Sequence, residues 1–241
     1  MNGALDLRIN IQSHDLTEAE TGTKSFGDRI CVGVLARDFK NLSEATKLVR
    51  DMQGLGTLVS VGLGDGAADQ WERALTIARS TLPFHLNQVF SSAALSRRAM
   101  KDLLADTRVN ALVSPTSDPT RLAVGTGPLS SKNPESSLPI PVVLDILLDG
   151  DISSVKLFPL KGTQNLETLR NVAIEVAKRD MALEPTGGID IENLKEILDI
   201  CLDSGCRTIM PHIYSSVKNS AGAVDFGKLD KAFEILDDVA N

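Results

Sequence analysis

Short apolar runs rich in β-branched residues recur along this chain, and each is followed by an amphipathic stretch of helix-forming residues. The runs start near Cys31 (CVGVLA), Leu58 (LVSVGLG), Phe84 (FHLNQVF), Ala111 (ALVSPT), Leu122 (LAVGTG), Ser154 (SVKLFP), Met181 (MALEPTGG) and Thr208 (TIMPHIYSS), most of them about 27 residues apart. A short step precedes Leu122 and a longer one follows it. Strand-then-helix repetition of this kind builds βα units on a parallel sheet. The runs are nearly continuous in Val, Leu and Ile, as expected of strands covered on both faces. Eight units in 241 residues predict a single (β/α)8 TIM barrel, a fold of roughly 250 residues. A doubly wound open sheet would use the same units, but eight strands in this length close more easily than they stay open.

The intervening segments read as helices over 43–54, 165–179, 190–204 and 225–240. Ser43 and Asp190 stand as N-caps, Gly54 and Gly205 as stops, and Ile191, Leu194, Ile197, Leu198 and Cys201 make one apolar stripe. Residues 1–28 hold few apolar anchors and read as an N-terminal arm, leaving 29–241 for the barrel. The Pro/Ser-rich stretch 128–141 reads as a long loop over the active face. A 42% hydrophobic chain has enough apolar residues for a sizeable core. Its net charge of −7, with Lys and Arg scattered, offers nothing to a nucleic acid or an anionic membrane. Cys31, Cys201 and Cys206 match no disulfide or zinc spacing, so reduced thiols in the cytoplasm are expected. No secretory signal opens the chain, and no apolar run approaches the roughly 20 residues a membrane span needs.

A barrel places its active site at the C-terminal ends of the strands. Those ends carry Arg37, Asp38, Gly64, Asp65, Gly66, Gln88, Ser114, Thr126, Gly127, Lys156, Glu184, Thr186, Gly187, Gly188, His212, Tyr214 and Ser215. Lys156 stands out, flanked by Val155 and Leu157 in a strand that should be apolar on both faces. A buried, unpaired ammonium costs several kcal/mol and loses its proton, and a neutral amine is what Schiff-base chemistry needs. The other reading is a lysine that snorkels to solvent or pairs with a carboxylate such as Glu184 on the neighbouring strand. Such a pair would be either an acid/base beside a nucleophile or a salt bridge that only fixes the lysine. The Thr186-Gly187-Gly188 turn before a helix can admit an anion or be simply a tight turn. His212 and Tyr214 share a strand face and could donate hydrogen bonds or move protons. His14 and His85 make no metal-ligand spacing with His212, so no metal site is expected. GLGDG at 62–66 fits no nucleotide-binding pattern, and no cofactor is expected.

VKLFP (155–159) and EPTGGI (184–189) resemble the Schiff-base lysine strand and phosphate-turn strand of the 2-keto-3-deoxy-6-phosphogluconate/4-hydroxy-2-oxoglutarate aldolases. ALVSP (111–115) is similar to that family's fourth strand. The fuller set VSVGLGDGAADQW, NQVF, NALVSPTSDP, GTGPLSS, SVKLFP, LEPTGGIDIENL and PHIYSS resembles the branch of DgaF-type KDGP aldolases, over about residues 30–240. The resemblance implies a metal-independent class I aldolase in which Lys156 attacks the C2 ketone of a 2-keto acid. Pyruvate and glyceraldehyde 3-phosphate would be the products; 4-hydroxy-2-oxoglutarate is the alternative substrate, and a barrel that binds keto acid or phosphate without turnover is the alternative class. The resemblance also implies that Thr186, Gly187 and Gly188 hold the substrate's anionic end, with Ser114 aligned to the fourth-strand Ser-Pro, and that the chain assembles as a homo-oligomer. Gln88, Thr126, Tyr214 and Ser215 complete the expected substrate-binding set. The better-known aldolases carry a Glu on the second strand as acid/base, and LVSVGLG has none. Glu184 is the candidate to take over, directly or through a water, with His212 in reserve.

Overall fold

The computed structural model describes residues 4–133 and 135–240; residues 1–3 of the expected arm, Pro134 in the 128–141 loop and Asn241 lie outside them. The strands are β1 (Asp6–Leu7), β2 (Ile9–Gln12), β3 (Ile30–Leu35), β4 (Leu58–Gly62), β5 (His85–Val89), β6 (Arg108–Pro115), β7 (Arg121–Ala123), β8 (Ser137–Pro139), β9 (Ser154–Leu157), β10 (Ala182–Pro185) and β11 (Thr208–Ile209). The helices are α1 (Leu16–Phe26), α2 (Leu42–Gly54), α3 (Trp71–Thr81), α4 (Phe90–Lys101), α5 (Ile140–Asp149), α6 (Leu166–Ala177), α7 (Leu194–Asp203) and α8 (Phe226–Ala240). The parallel sheet runs β1-β11-β10-β9-β6-β5-β4-β3-β2. Because β1 and β2 are one segment interrupted at Arg8, the order returns on itself and forms an α/β TIM barrel.

Part of the expected arm is therefore the first barrel strand. Asp6 and Leu7 pair with Thr208 and Ile209, while Ile9 to Gln12 pair with Ile30 to Gly33. Ile9 and Ile11 are fully buried on one face, and Asn10, equally buried, lies on the other. Only two apolar residues alternate with polar ones there, which is why the run is faint in the sequence. α1 follows as the first outer helix, its N-terminus capped by Asp15 Oδ1, which accepts from the amides of Thr17 and Glu18 at 2.7 and 3.0 Å. The barrel thus begins at residue 6 rather than 29.

The Leu122 run is not a barrel strand. β7 pairs antiparallel with the end of β6, Ser114 opposite Ala123, and with β8, Leu122 opposite Leu138. A parallel return needs a crossover of about a dozen residues or more, and the short step before Leu122 permits only a hairpin. Counted from residue 6, ALVSP lies on the fifth barrel strand rather than the fourth, and LVSVG on the third rather than the second. The second strand, ICVGVL, also has no carboxylate. The 128–141 loop ends in β8 and the start of α5, and among the described residues none between 113 and 155 lines the cavity that holds Lys156.

Ile11→Ala should cost about 2–5 kcal/mol in urea unfolding, as for a core truncation. A residue in a free arm would change stability by no more than about 0.5 kcal/mol.

Candidate active site

Barrel interiors are commonly filled by bulky branched residues. Here Ser60, His85, Asn87, Asn110, Ser154, Glu184 and His212 are buried instead, drawn from successive barrel strands and the end of the last. Buried polar groups are tolerable only when satisfied, and these satisfy one another. The carboxylate of Glu184, 1% exposed, accepts from His85 Nε2 at 2.9 Å and Ser154 Oγ on Oε1. Its Oε2 accepts from His212 Nε2 at 2.9 Å and Asn110 Nδ2 at 2.6 Å. Burial opposes its charge, but the imidazoles of His85 and His212 overcome that and hold it well below the usual carboxylate range.

An ionised carboxylate can only accept, so both imidazoles carry a proton on Nε2. His212, neutral, presents a lone pair at Nδ1, and Nδ1 of His85 faces a Ser60 hydroxyl whose hydrogen has no other acceptor among the described residues. Nδ1 of His85 then accepts from the Ser60 hydroxyl at 2.8 Å, and Ser60 Oγ accepts from Asn87 Nδ2 at 3.0 Å. Asn87 Oδ1 faces Lys156 Nζ at 2.9 Å and also accepts from Asn110 Nδ2 at 2.9 Å. On the other side, Nδ1 of His212 lies 3.1 Å from Lys156 Nζ and 3.0 Å from the Tyr214 hydroxyl. Two arms of hydrogen bonds thus run from the amine to one buried carboxylate, and the donor assignments agree throughout.

Lys156 Nζ sits where the arms meet, in the wall of a cavity of about 360 Å³ at the C-terminal end of the barrel. Burial pushes its pKa down to about 8, against the pull of Glu184 and Asp65. In the neutral amine, two N–H bonds serve Asn87 and His212, and the lone pair is the position left unengaged. Burial, reinforced by Lys156 and opposed by Glu184, lowers His212 to about 3, so its ring is neutral. Burial also raises the Tyr214 phenol, which keeps its proton.

Of the residues expected from the sequence, Lys156, Gln88, Thr186, Gly187, Gly188, His212, Tyr214 and Ser215 line this cavity. Glu184 lies opposite Lys156 in the strand register, but its oxygens bond elsewhere and it does not line the cavity. The amine and carboxylate are linked through His212 rather than paired directly. Gln88 lies on the opposite face of β5 from Asn87, and its Nε2 donates to the carbonyl of Trp71 on α3 at 3.0 Å. Thr126 caps α4 across the loop, its hydroxyl accepting from the Phe90 amide at 2.7 Å, and it lies outside the cavity. Ser114 also lies outside, at the β6–β7 pairing.

Gly187 and Gly188 have φ of +100° and +75°. A Cβ on Gly188 would stand 2.4 Å from the Gly162 nitrogen, so the turn is glycine because the loop after β9 packs directly onto it. Among the described residues, the amides of Gly188 and Ile189 have no hydrogen-bond partner, and Lys218 Nζ, also at the cavity wall, has neither a hydrogen bond nor an ion pair. Gln12, Asn87 and Lys218 are the polar cavity residues that sequence reasoning missed. Asn87 had a signal: it is one of several single polar residues at matching register in otherwise apolar strands, Asn87 opposite Asn110 among them. Among the described residues no group of three or more His, Cys, Asp or Glu is placed to hold a metal ion, and no helix is long and apolar enough to cross a membrane.

The structure is a parallel α/β barrel with a buried lysine amine at the C-terminal end of its strands. The chain belongs to the KDGP aldolase family, whose model matches residues 6–221. The match begins at β1, inside the segment that the sequence motifs did not reach. Over 211 residues the chain is 33% identical to a 2-dehydro-3-deoxy-phosphogluconate aldolase of Salmonella typhimurium, covering 87% of this chain and 85% of that one. In fold alone it is similar to KGPDC from Streptococcus mutans (TM-score 0.62, 13% identity, covering 98% of this chain and 100% of that one). Phosphoribosyl anthranilate isomerase from Thermus thermophilus is comparable (TM-score 0.60, 14% identity, 97% and 100%).

His212 titrates near 6.5 when unfolded and near 3 when folded, so the native state binds fewer protons between those values. The contribution of His212 to stability is full above pH 6.5 and is lost as pH drops toward 3. Urea unfolding across that range should show a shallower fall for His212→Gln than for the wild type. An unchanged slope would mean that His212 is not held neutral.

Proposed function

We propose that this chain is a class I aldolase that reversibly cleaves 2-keto-3-deoxy-6-phosphogluconate to pyruvate and glyceraldehyde 3-phosphate, using a Schiff base on Lys156. The observation that carries this reading is the amine itself, with both N–H bonds held by Asn87 and His212 and its lone pair free at the cavity wall. The lone pair attacks the C2 ketone. Nδ1 of His212, 3.1 Å from the nitrogen, is placed to take the amine proton and return it to the adduct oxygen, which with one further proton from solvent leaves as water and yields the iminium. Asn87 holds the amine but cannot relay a proton, because an amide neither gives nor takes one readily. The C4 hydroxyl then gives its proton to Nδ1 of His212, neutral again after the first transfer, the C3–C4 bond breaks, and its electrons enter the iminium as the aldehyde departs. Protonation of the enamine at C3 and hydrolysis release pyruvate and the free lysine.

Glu184, which the sequence suggested as the acid/base, acts in this reading from behind His212, because its four acceptor positions are occupied. Tyr214, protonated and beside His212, is placed to hydrogen-bond the substrate oxygens. The unpartnered amides of Gly188 and Ile189, the Ser215 hydroxyl and the Lys218 ammonium supply donors and a charge for the phosphate.

Borohydride reduction in the presence of pyruvate should leave a permanent adduct on Lys156, located by peptide mass mapping, and none in Lys156→Ala. The trapping rate should rise with pH through about 8, as the ammonium becomes amine. An unmodified Lys156, under conditions that trap a control class I aldolase, overturns the mechanism.

Lys218→Met should raise KM for the phosphorylated substrate by about tenfold or more, the worth of a charge-assisted hydrogen bond, with kcat little changed. An unaltered KM would remove Lys218 from the phosphate site.

A further inference from the structure

His85 does not line the cavity, and neither the sequence motifs nor the mechanism above gives it a role. It is fully buried in the barrel interior and joined to the site at both ring nitrogens. We propose that His85 is a positioning residue: it holds the Glu184 carboxylate ionised and turned to His212, and so keeps the His212 Nδ1 lone pair facing Lys156.

The protons around His85 are fully assigned by their acceptors. Ser60 Oγ accepts from Asn87, whose own Oδ1 is engaged by Lys156 and Asn110, so the Ser60 hydroxyl hydrogen is left for His85 Nδ1. That fixes the His85 proton on Nε2, aimed at Glu184 Oε1 2.9 Å away. A carboxylate given this donor on one oxygen has no reason to protonate, and its other oxygen remains an acceptor for His212 Nε2. If Glu184 instead became a carboxylic acid, its O–H would be offered to His212 Nε2 and the ring proton would move to Nδ1. The amine would then face a donor where it needs an acceptor.

The other titratable groups that interact with Glu184 are Cys31 on β3, Lys156 on β9, and His212 with Tyr214 beyond β11, while Arg8 between β1 and β2 and Arg108 on β6 act on Cys31. Arg8 and Arg108 are committed to Asp6 at 2.7 and 3.5 Å, and the Cys31 thiol is held neutral by burial. Neither arginine hydrogen-bonds Glu184, so no neighbour replaces the His85 donor.

The proposal rests on the Schiff-base reading, and two substitutions separate it from simple packing. Gln in His85→Gln can place an N–H where Nε2 stood. Asn in His85→Asn reaches Ser60 but withdraws the donor from Glu184. Thermal melts establish that each variant is folded. H85N should lower kcat for the aldol cleavage on the order of 10²-fold while KM stays within about twofold, and H85Q should recover most of the loss. Competitive labelling of Lys156 with an amine reagent, read by peptide mapping, needs no turnover. The amine pKa should fall below the wild-type value in H85N, because a less firmly ionised Glu184 supports the ammonium less, and should return toward it in H85Q.

If H85N does not fold, Ser60→Ala keeps His85 but frees its Nδ1, and should move the amine pKa in the same direction by less. Equal losses in H85Q and H85N, or an amine pKa unmoved in every folded variant, would overturn the proposal. Failure to trap the wild-type lysine with pyruvate would instead overturn the aldolase reading, while the labelling result would still judge the role of His85.

Discussion

The site depends on one buried anion. Glu184 sits near the barrel axis with four hydrogen-bond donors around it, two of them imidazoles. Hydrogen bonds to a charged group contribute about 1.5–3 kcal/mol each, whereas removing a partner from a buried charge costs about 3–5 kcal/mol. The asymmetry makes the arrangement all-or-nothing: satisfied, it fixes each proton, and with one partner missing it is a liability. That fixed order reaches the cavity as an acceptor on His212 and an acceptor on Asn87, the two groups that Lys156 needs to present a free lone pair. The fold contributes by bringing Ser60, His85, Asn87, Asn110, Ser154 and Glu184 from consecutive barrel strands into one buried cluster.

In the proposed reading the cavity holds two sets of groups, one for the chemistry and one for the substrate's charge. Lys156, its ammonium weakened by burial, and the neutral His212 and Tyr214 make the first. Lys218, Ser215 and the amides after Gly187 make the second, with positive charge and unpaired donors. The glycines between them serve the backbone more than the ligand, since the loop after β9 leaves no room for a Cβ at Gly188. This division accommodates a ketone at one end and a phosphate at the other, the shape of the substrate proposed for the family's chemistry here.

Much of the barrel was legible because most of its repeats keep strand and helix in a regular register. The run from Leu122 shows the limit: hydropathy alone cannot tell a barrel strand from a hairpin strand, and the short chain before it was the only sign of the difference. The first strand was missed for the opposite reason, since Asn10 and Gln12 face the interior and leave only Ile9 and Ile11 as apolar signal. In the site, Lys156 and Glu184 were visible as charges where a strand should be apolar. Their true relation was not, because it passes through His212, and side-chain direction decides it. Thr126 looked like a strand-end residue and proved to be the cap of a neighbouring helix, a long-range pairing that no local pattern carries. Asn87, the second partner of the amine, would have been found by asking which polar residues fall at matching positions of neighbouring strands.

The claim at the centre of this account is the direction of the hydrogen bonds around Lys156, and the protonation state of His212 reports it. Nitrogen NMR of the labelled imidazole in the free protein at neutral pH reads that state directly. A neutral ring with its proton on Nε2, bonded to Glu184, is the predicted result. A proton on Nδ1, or a charged imidazolium, would contradict it, because the lysine amine would then face a donor and the arrangement that frees its lone pair could not exist.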